Sequence, residues 1–301
     1  MSERPEINRE LFTPASLLLS VSPRRNWSLN NGYRLLIIHP HKTAEHDKQD
    51  LQDPQDAIIL KPQQMPIHPT AIIEDNVEIG PDCEIAAYAV IKRFTRLGAR
   101  NRIYEHAVVG GEPQDVKFKN EESFLEIGDD NIIREYCTLH RASGAGEITR
   151  IGSRNFFMVG VHVAHNCVIG SDNIFANEVA LAGHITIEDR VFLSNNVGAH
   201  QFVRMGRYAM VGGKSKIVQD VLPFFITDGN PPRVRGLNIV GLTRAGFSEE
   251  ARRTLKNAYR TLFKSAAPLA DVLEELDRID DANVSHLVNF IRGSKRGFIR
   301  A

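Results

Sequence analysis

Cysteine is scarce in this chain of 301 residues: Cys83, Cys137 and Cys167 lie far apart, with no Cys-x-x-Cys pair. That argues against a disulfide framework or a cysteine-rich zinc site, and fits a reducing compartment. Excess charge of either sign is also missing. The 37 Lys and Arg balance 37 Asp and Glu, a formal net charge of +0, so nothing draws the chain in bulk to nucleic acid. Long apolar runs are absent too. None approaches the roughly 18 residues of a membrane span. Leu17-Leu18-Leu19 is too short for a signal-peptide core, and Glu3, Glu6 and Glu10 precede it. A cytoplasmic protein without a transmembrane segment is expected. The composition, 42% hydrophobic and 25% charged, is ordinary for a globular chain with one large domain and an appendage.

What the chain has is a period. Every sixth residue from Ile67 is apolar: Ile73, Ile79, Ile85, Ile91, Leu97, Ile103 and Val109. The rhythm lapses at Asp115 and Glu121, resumes at Ile127, Ile133 and Leu139, skips at Ala145, and then runs from Ile151 to Ile217. About 22 of about 26 such positions are large aliphatic residues or Phe, where ordinary composition would give roughly a third. Period six fits neither an amphipathic helix nor a half-buried strand. It is the hexapeptide signature of a parallel β-helix, in which three short strands make one triangular coil of about 18 residues. The sixth-residue side chain points inward, and coils stack about 4.8 Å apart through parallel hydrogen bonds. Glycine often follows the inward residue (Gly80, Gly98, Gly110, Gly128, Gly152, Gly170, Gly206) and is expected to turn the backbone at a corner.

The expected organisation has four parts. Residues 1–65 lack the period, are punctuated by proline and are strongly polar over Lys42–Asp56. They are expected to be a poorly ordered extension, with Met65 standing just before the first repeat. Residues 66–222 form the β-helix. Residues 223–247, with Pro223, Gly229, Asn230, Pro231 and Pro232, are a connector. Residues 248–301 are helical: Ser248 is a good N-cap, Glu249 and Glu250 suit a first turn, and Leu255, Ala258, Tyr259 and Leu262 have helical spacing. Pro268–Ile279 and Val284–Ile291 read as two more helices. Within the β-helix, the gap between Val109 and Ile127 leaves the coil as a loop, because Asp115 cannot sit unpaired in an apolar prism. A shorter loop is expected at Ser143–Glu147.

Four histidines fall on the repeat lattice: His162, His165, His184 and His200. His184 and His200 each follow the previous histidine by about one coil, so these side chains share one outer strip near a corner. Two chemistries fit such a strip. One histidine acts as general base in acyl transfer, or three bind zinc, as in hexapeptide carbonic anhydrases. Spacing leaves both open.

The surrounding motifs are more specific. His162-Val163-Ala164-His165-Asn166-Cys167, Leu181-Ala182-Gly183-His184, Ala199-His200-Gln201-Phe202, Val211-Gly212-Gly213, and Gly236-Leu237-Asn238 through Thr243-Arg244 occur in this order. Together with the Pro113-Gln114-Asp115 loop they resemble the UDP-N-acetylglucosamine O-acyltransferases of lipid A synthesis, over roughly residues 66–301. The resemblance implies a left-handed β-helix and a homotrimer with clefts between prisms. It implies a 3-hydroxyacyl chain carried on acyl carrier protein as donor, the glucosamine 3-hydroxyl of UDP-GlcNAc as acceptor, and neither cofactor nor metal. It gives His165 the part of general base and Gly183 that of the backbone N–H facing the thioester oxyanion. Asp115, Lys117, His162, His184, His200, Gln201, Asn238 and Arg244 become substrate residues, and Gly213 the floor of an acyl channel. The alternatives are N-acyl transfer to an amino UDP-sugar on the same fold and, more remotely, the zinc enzyme.

The chain departs from the pattern at three places. Asn166 stands where the family usually has Asp, Ala245 where a second Arg is expected, and Val240 where an acid is expected. An Asn carbonyl can orient an imidazole but cannot offset imidazolium charge as a carboxylate does.

Overall fold

A computed structural model describes residues 67–301; the expectation for residues 1–65 falls outside them. From Ile72 to Ile217 the chain makes two- to four-residue strands that recur in strict rotation among three sheets. The first face has eight strands, from Ile72–Ile73 to Lys216–Ile217; the second has seven, from Glu78–Ile79 to Arg204–Met205; the third has nine, beginning at Glu84–Ile85. All pairings between coils are parallel, and the faces close into a left-handed β-helix.

The sixth-residue apolar side chains fill the prism: Ile85, Ile91, Ile133, Leu139, Phe157, Phe175 and Leu181 are fully buried. Phe157 and Phe175 stack in parallel on successive coils, ring centroids 4.8 Å apart. Two residues before the inward side chain lies a second position, buried from Cys83 onward and filled mostly by smaller groups, with Leu125 and Ile185 as larger occupants. All three cysteines occupy it. Each Sγ–H donates to a carbonyl (Gly98, Met158 and Ala182, at 3.1–3.2 Å). Burial pushes the Cys137 and Cys167 thiols up to about 12, so they pack rather than react.

Of the glycines expected to turn corners, Gly110 takes positive φ, while Gly80, Gly98, Gly128, Gly152, Gly170 and Gly206 do not. Positive φ recurs every sixth residue at non-glycine positions, among them Arg100, Asp130, Asn166, His184 and Tyr208. The left-handed conformation costs an L-residue on the order of 1 kcal/mol, and the stacked coils on either side hold it there. Glycine serves a different need, the close approach of successive coils. A Cβ on Gly152 would lie 2.6 Å from the Gly170 carbonyl oxygen.

Two places break the coil length. Leu97 pairs with Ile127 and Ile127 with Ile151, whereas Ile151 pairs with Ile169, one ordinary turn on. The excess leaves as loops at residues 112–123 and 141–147, close to where the lapses in period fall. Beyond residue 222 the third face continues through Phe225–Gly229, which pairs in parallel with Met210–Val211. The antiparallel return Pro232–Leu237 then follows a cis Asn230–Pro231 turn. The breaker-rich stretch is thus mostly a hairpin that closes the sheet. Helix α1 (Ile239–Arg244) follows, then α2 (Glu249–Lys264), α3 (Leu269–Asp277) and α4 (Ala282–Arg292). Ser248 caps α2 by accepting from the Ala251 N–H at 3.1 Å, and Leu255, Ala258 and Leu262 turn inward. Helix α4 is fastened to the prism by His286 Nε2 to Glu188 Oε2 at 2.8 Å and by Arg207 Nη2 to Asn283 Oδ1 at 3.1 Å.

Candidate active site

The corner between the first and second faces differs from the next corner around. Between the second and third faces the sequence repeats Gly-x-x-Asn (Gly98–Asn101, Gly128–Asn131, Gly152–Asn155, Gly170–Asn173). There the asparagines form a buried ladder: Asn101 Oδ1 accepts from the Asn131 N–H and Asn155 Oδ1 from the Asn173 N–H, both at 2.9 Å. The exposed-side amides are covered as well. Ala99, Asp129, Ser153 and Ser171 donate their N–H to Asp129, Ser153, Ser171 and Asp189 side chains. The equivalent residue on the first corner is Gly183, and among the described residues nothing accepts from its N–H.

His165 lies one coil before Gly183, at the same turn position. A Cβ on Gly183 would stand 2.6 Å from His165 Cε1, so glycine there makes room for the imidazole. The ring's tautomer follows from its neighbours. Asn166 Oδ1 accepts from the Ser143 N–H at 2.9 Å, and Asn166 Nδ2 donates to the Ser143 carbonyl at 3.1 Å. That pair admits only one orientation of the amide. The atom 2.8 Å from His165 Nδ1 is therefore an oxygen, and Nδ1 must carry the hydrogen. In the neutral ring the lone pair then lies on Nε2, which among the described residues makes no hydrogen bond, and the ring lines an open cleft. This is the form a general base needs.

The cleft has a volume of about 600 Å3. His162, His165, Gly183, His200 and Gln201 all line it, with Gln114 from the 112–123 loop and Lys216 farther along the face. His184 stands edge-on to His165 at 5.3 Å and stacks on Phe202 at 4.8 Å. Burial, and then the charge of His165, hold the His184 imidazole below its usual range. His162 Nδ1 lies 2.8 Å from Thr138 Oγ1, and burial followed by His140 brings its pKa down to about 4. It is neutral at pH 7. Asp115 returns to the site through its loop. Its carboxylate accepts from the Lys117 N–H at 3.0 Å and the Ser143 hydroxyl at 2.9 Å, which together with the nearby His165 keep it ionised below the usual range. Lys117 meets Asp115 through its amide, and its side chain is exposed.

Asp115, Lys117 and His184 are not part of the cleft lining, and three further expected site residues lie elsewhere within the chain. Asn238 caps α1, accepting from the Gly241 N–H at 3.0 Å and donating to the Tyr208 carbonyl at 2.9 Å. Arg244 lies in the last turn of α1. Gly213 follows the third-face strand Met210–Val211, beside Asn195. Two residues were not foreseen. Buried His140 holds the Glu112 carbonyl at 2.6 Å, pinning the start of the loop, and Ser143 joins that loop to Asn166. His140 follows the inward Leu139 as His200 follows Ala199, a correspondence readable from the lattice. Among the described residues no three His, Cys, Asp or Glu side chains group to hold a metal ion, and no helix is long and apolar enough to cross a membrane.

A hexapeptide prism with an Nδ1–H imidazole and an unpartnered glycine amide on residues that line one cleft fits an acyltransferase of the β-helix class. Residues 220–299 match the family model described as UDP-N-acetylglucosamine O-acyltransferase, domain 2. The acyl-[acyl-carrier-protein]–UDP-N-acetylglucosamine O-acyltransferase of Synechocystis sp. is 53% identical over 63% of this chain and 68% of its own. That of Aliarcobacter butzleri is 41% identical over 77% and 96%. The crystal structure of the UDP-N-acetylglucosamine acyltransferase from Bacteroides fragilis superposes with a TM-score of 0.73 at 39% identity, covering 78% of this chain and all of that one. The chain belongs to the UDP-N-acetylglucosamine O-acyltransferase family.

Proposed function

We propose that the chain transfers a 3-hydroxyacyl group from acyl carrier protein to the 3-hydroxyl of UDP-GlcNAc, opening lipid A synthesis in the cytoplasm. The observation that carries this reading is the pairing of a His165 Nε2 lone pair with the free Gly183 N–H on one side of one cleft. His165 takes the proton of the sugar hydroxyl as its oxygen attacks the thioester carbonyl. The Gly183 N–H receives the oxyanion of the tetrahedral intermediate. Collapse expels the carrier thiolate, which takes the proton back from the imidazolium. Asp115 and the neutral His162 serve the sugar side, while His184, His200, Gln201 and Lys117 serve the remaining substrate groups.

A homotrimer completes the site in this reading. Apart from Gln114, the cleft lining comes from the first face and the corner after it, so the cleft has a single wall. Ligand sites bury most of a small molecule's surface, and a second prism set against this face supplies the missing wall. Gly213, Asn238 and Arg244 take their substrate roles at that junction, with Gly213 leaving room for the acyl chain. Arg204 and Arg207 are committed to α4, through the Phe290 carbonyl and Asn283, and Arg233 donates to the Ala301 carbonyl, which leaves Lys214, Lys216 and Arg235 to meet the acidic carrier protein.

The test is acyl transfer from a set of 3-hydroxyacyl carrier proteins to UDP-GlcNAc and to its 3-amino analogue. His165→Ala is expected to lower kcat/KM by about 10²–10⁴-fold while the trimer persists by light scattering. Turnover confined to the amino analogue would move the acceptor from O to N. Full turnover by the variant would sink the assignment of the base.

A further inference from the structure

The mechanism puts a positive charge on His165, and the residue beside it is an amide. Carboxylates that partner catalytic imidazoles both orient the ring and stabilise the imidazolium. Asn166 performs the first task only. The second falls to a group elsewhere.

The groups facing His165 come from five directions. Its own corner supplies Asn166. The next coil supplies His184, ring centroids 5.3 Å away. The coil before supplies His140, whose own ionisation is opposed by the His165 charge. The 112–123 loop supplies Asp115, with Lys117 behind it. The 141–147 loop supplies Ser143 and Glu147, the latter acting on His184. The histidines add no negative charge. Asp115 is the carboxylate whose charge interacts with His165 directly.

Ser143 connects these parts with three hydrogen bonds. Its N–H and C=O clamp the Asn166 amide, and its hydroxyl donates to Asp115 Oδ2 at 2.9 Å. The result is a continuous chain: Asp115 carboxylate, Ser143, Asn166 amide, His165 Nδ1–H, with the Nε2 lone pair at its far end. We propose that Ser143 is a positioning residue for the reaction. It locks the Asn166 amide and tethers Asp115, so that Asp115 gives the His165 imidazolium the negative charge that Asn166 lacks. This rests on His165 being the base. It gives Asp115 a task beyond holding substrate, and it explains how an Asn at 166 is compatible with turnover.

The experiment is the pH dependence of kcat/KM for the full chain and for Ser143→Ala, Ser143→Thr and Asp115→Asn. A carboxylate near a histidine raises its pKa, so removing or untethering it lowers that pKa. The acidic limb of the profile then moves to lower pH. Asp115→Asn and Ser143→Ala are both expected to show the shift, with kcat down on the order of tenfold. Ser143→Thr, which keeps a hydroxyl, is expected to restore the limb. A limb that stays in place in both Asp115→Asn and Ser143→Ala overturns the proposal, whatever happens to KM. Nitrogen-15 spectra of the unmodified protein test the clamp without any variant. The His165 ring is expected as the Nδ1–H tautomer above the limb, and an Nε2–H tautomer overturns the clamp. His165→Ala with full turnover is a separate result, which removes the base itself.

Discussion

Two corners of one prism use the same backbone to opposite ends. At the corner after the second face, Arg100, Asp130 and Arg154 take positive φ; at the corner after the first, Asn166 and His184 do the same. The turn geometry is shared, and the difference lies in where polar groups find partners. The Gly-x-x-Asn corner satisfies nearly all of them within the stack: asparagine to asparagine, amide to the side chain of the next coil. At the other corner, among the described residues, the Gly183 N–H and His165 Nε2 have no hydrogen-bond partner, and both residues line a cleft. A stack of satisfied groups stabilises, and unsatisfied groups held rigidly are available for chemistry.

The sharpest way to break this comparison is to add one methyl group to each corner. Gly183→Ala would place a carbon 2.6 Å from His165 Cε1 and displace the ring. Misplacing a base by about 1 Å is expected to cost about 10²-fold in kcat, with little change in melting midpoint, because an edge-on imidazole can give way. Gly152→Ala meets the Gly170 carbonyl backbone instead. It is expected to lose about 1–3 kcal/mol of stability and to leave kcat unchanged below the melting point. Equal melting losses in the two variants, with equal activity, would erase the distinction.

A smaller effect is expected from the ladder itself. Asn155→Ala removes donors to Asn131 Oδ1 and the Gly170 carbonyl and leaves the Asn173 N–H without its acceptor. A loss of about 1–3 kcal/mol should appear as a lower urea midpoint with unchanged kinetics. A kinetic defect with an unmoved midpoint would show that the two corners are coupled.

The mildest prediction concerns pH. His162 ionises near 6.5 when free and near 4 in the fold, because burial, followed by the charge of His140, opposes the proton. The unfolded chain therefore binds the proton first. The contribution to stability is whole above pH 6.5 and drains as pH falls from 6.5 towards 4. His162→Gln is expected to flatten the melting midpoint over that window. An unchanged slope would mean that other groups carry the acid sensitivity.

Much of this was legible in the chain. Period six is a property of consecutive residues, so the three faces, the inward side chains and both loop excursions could be read directly. The gathering of His162, His165 and His200 along one cleft, with His184 edge-on to His165, also followed, because residues about one coil apart are near neighbours. Helix α2 was announced by Ser248 and the spacing of Leu255, Ala258 and Leu262. The role of the glycines was misjudged because a repeat shows where a residue recurs but not whether it meets the turn or the coil above. Pro223 to Pro232 suggested a linker because breakers mark a turn whether or not strands flank it.

The amino-acid sequence by itself determined the prism and the strip of histidines, since each depends only on a fixed separation along the chain. The tertiary structure alone decided which nitrogen of His165 holds the hydrogen, that Ser143 joins Asp115 to Asn166, and that the Gly183 amide is free. These depend on how two loops of different length fold back on the coil. Such loops carry no period, and hydrogen bonds a few tenths of an ångström long or short decide the chemistry they permit.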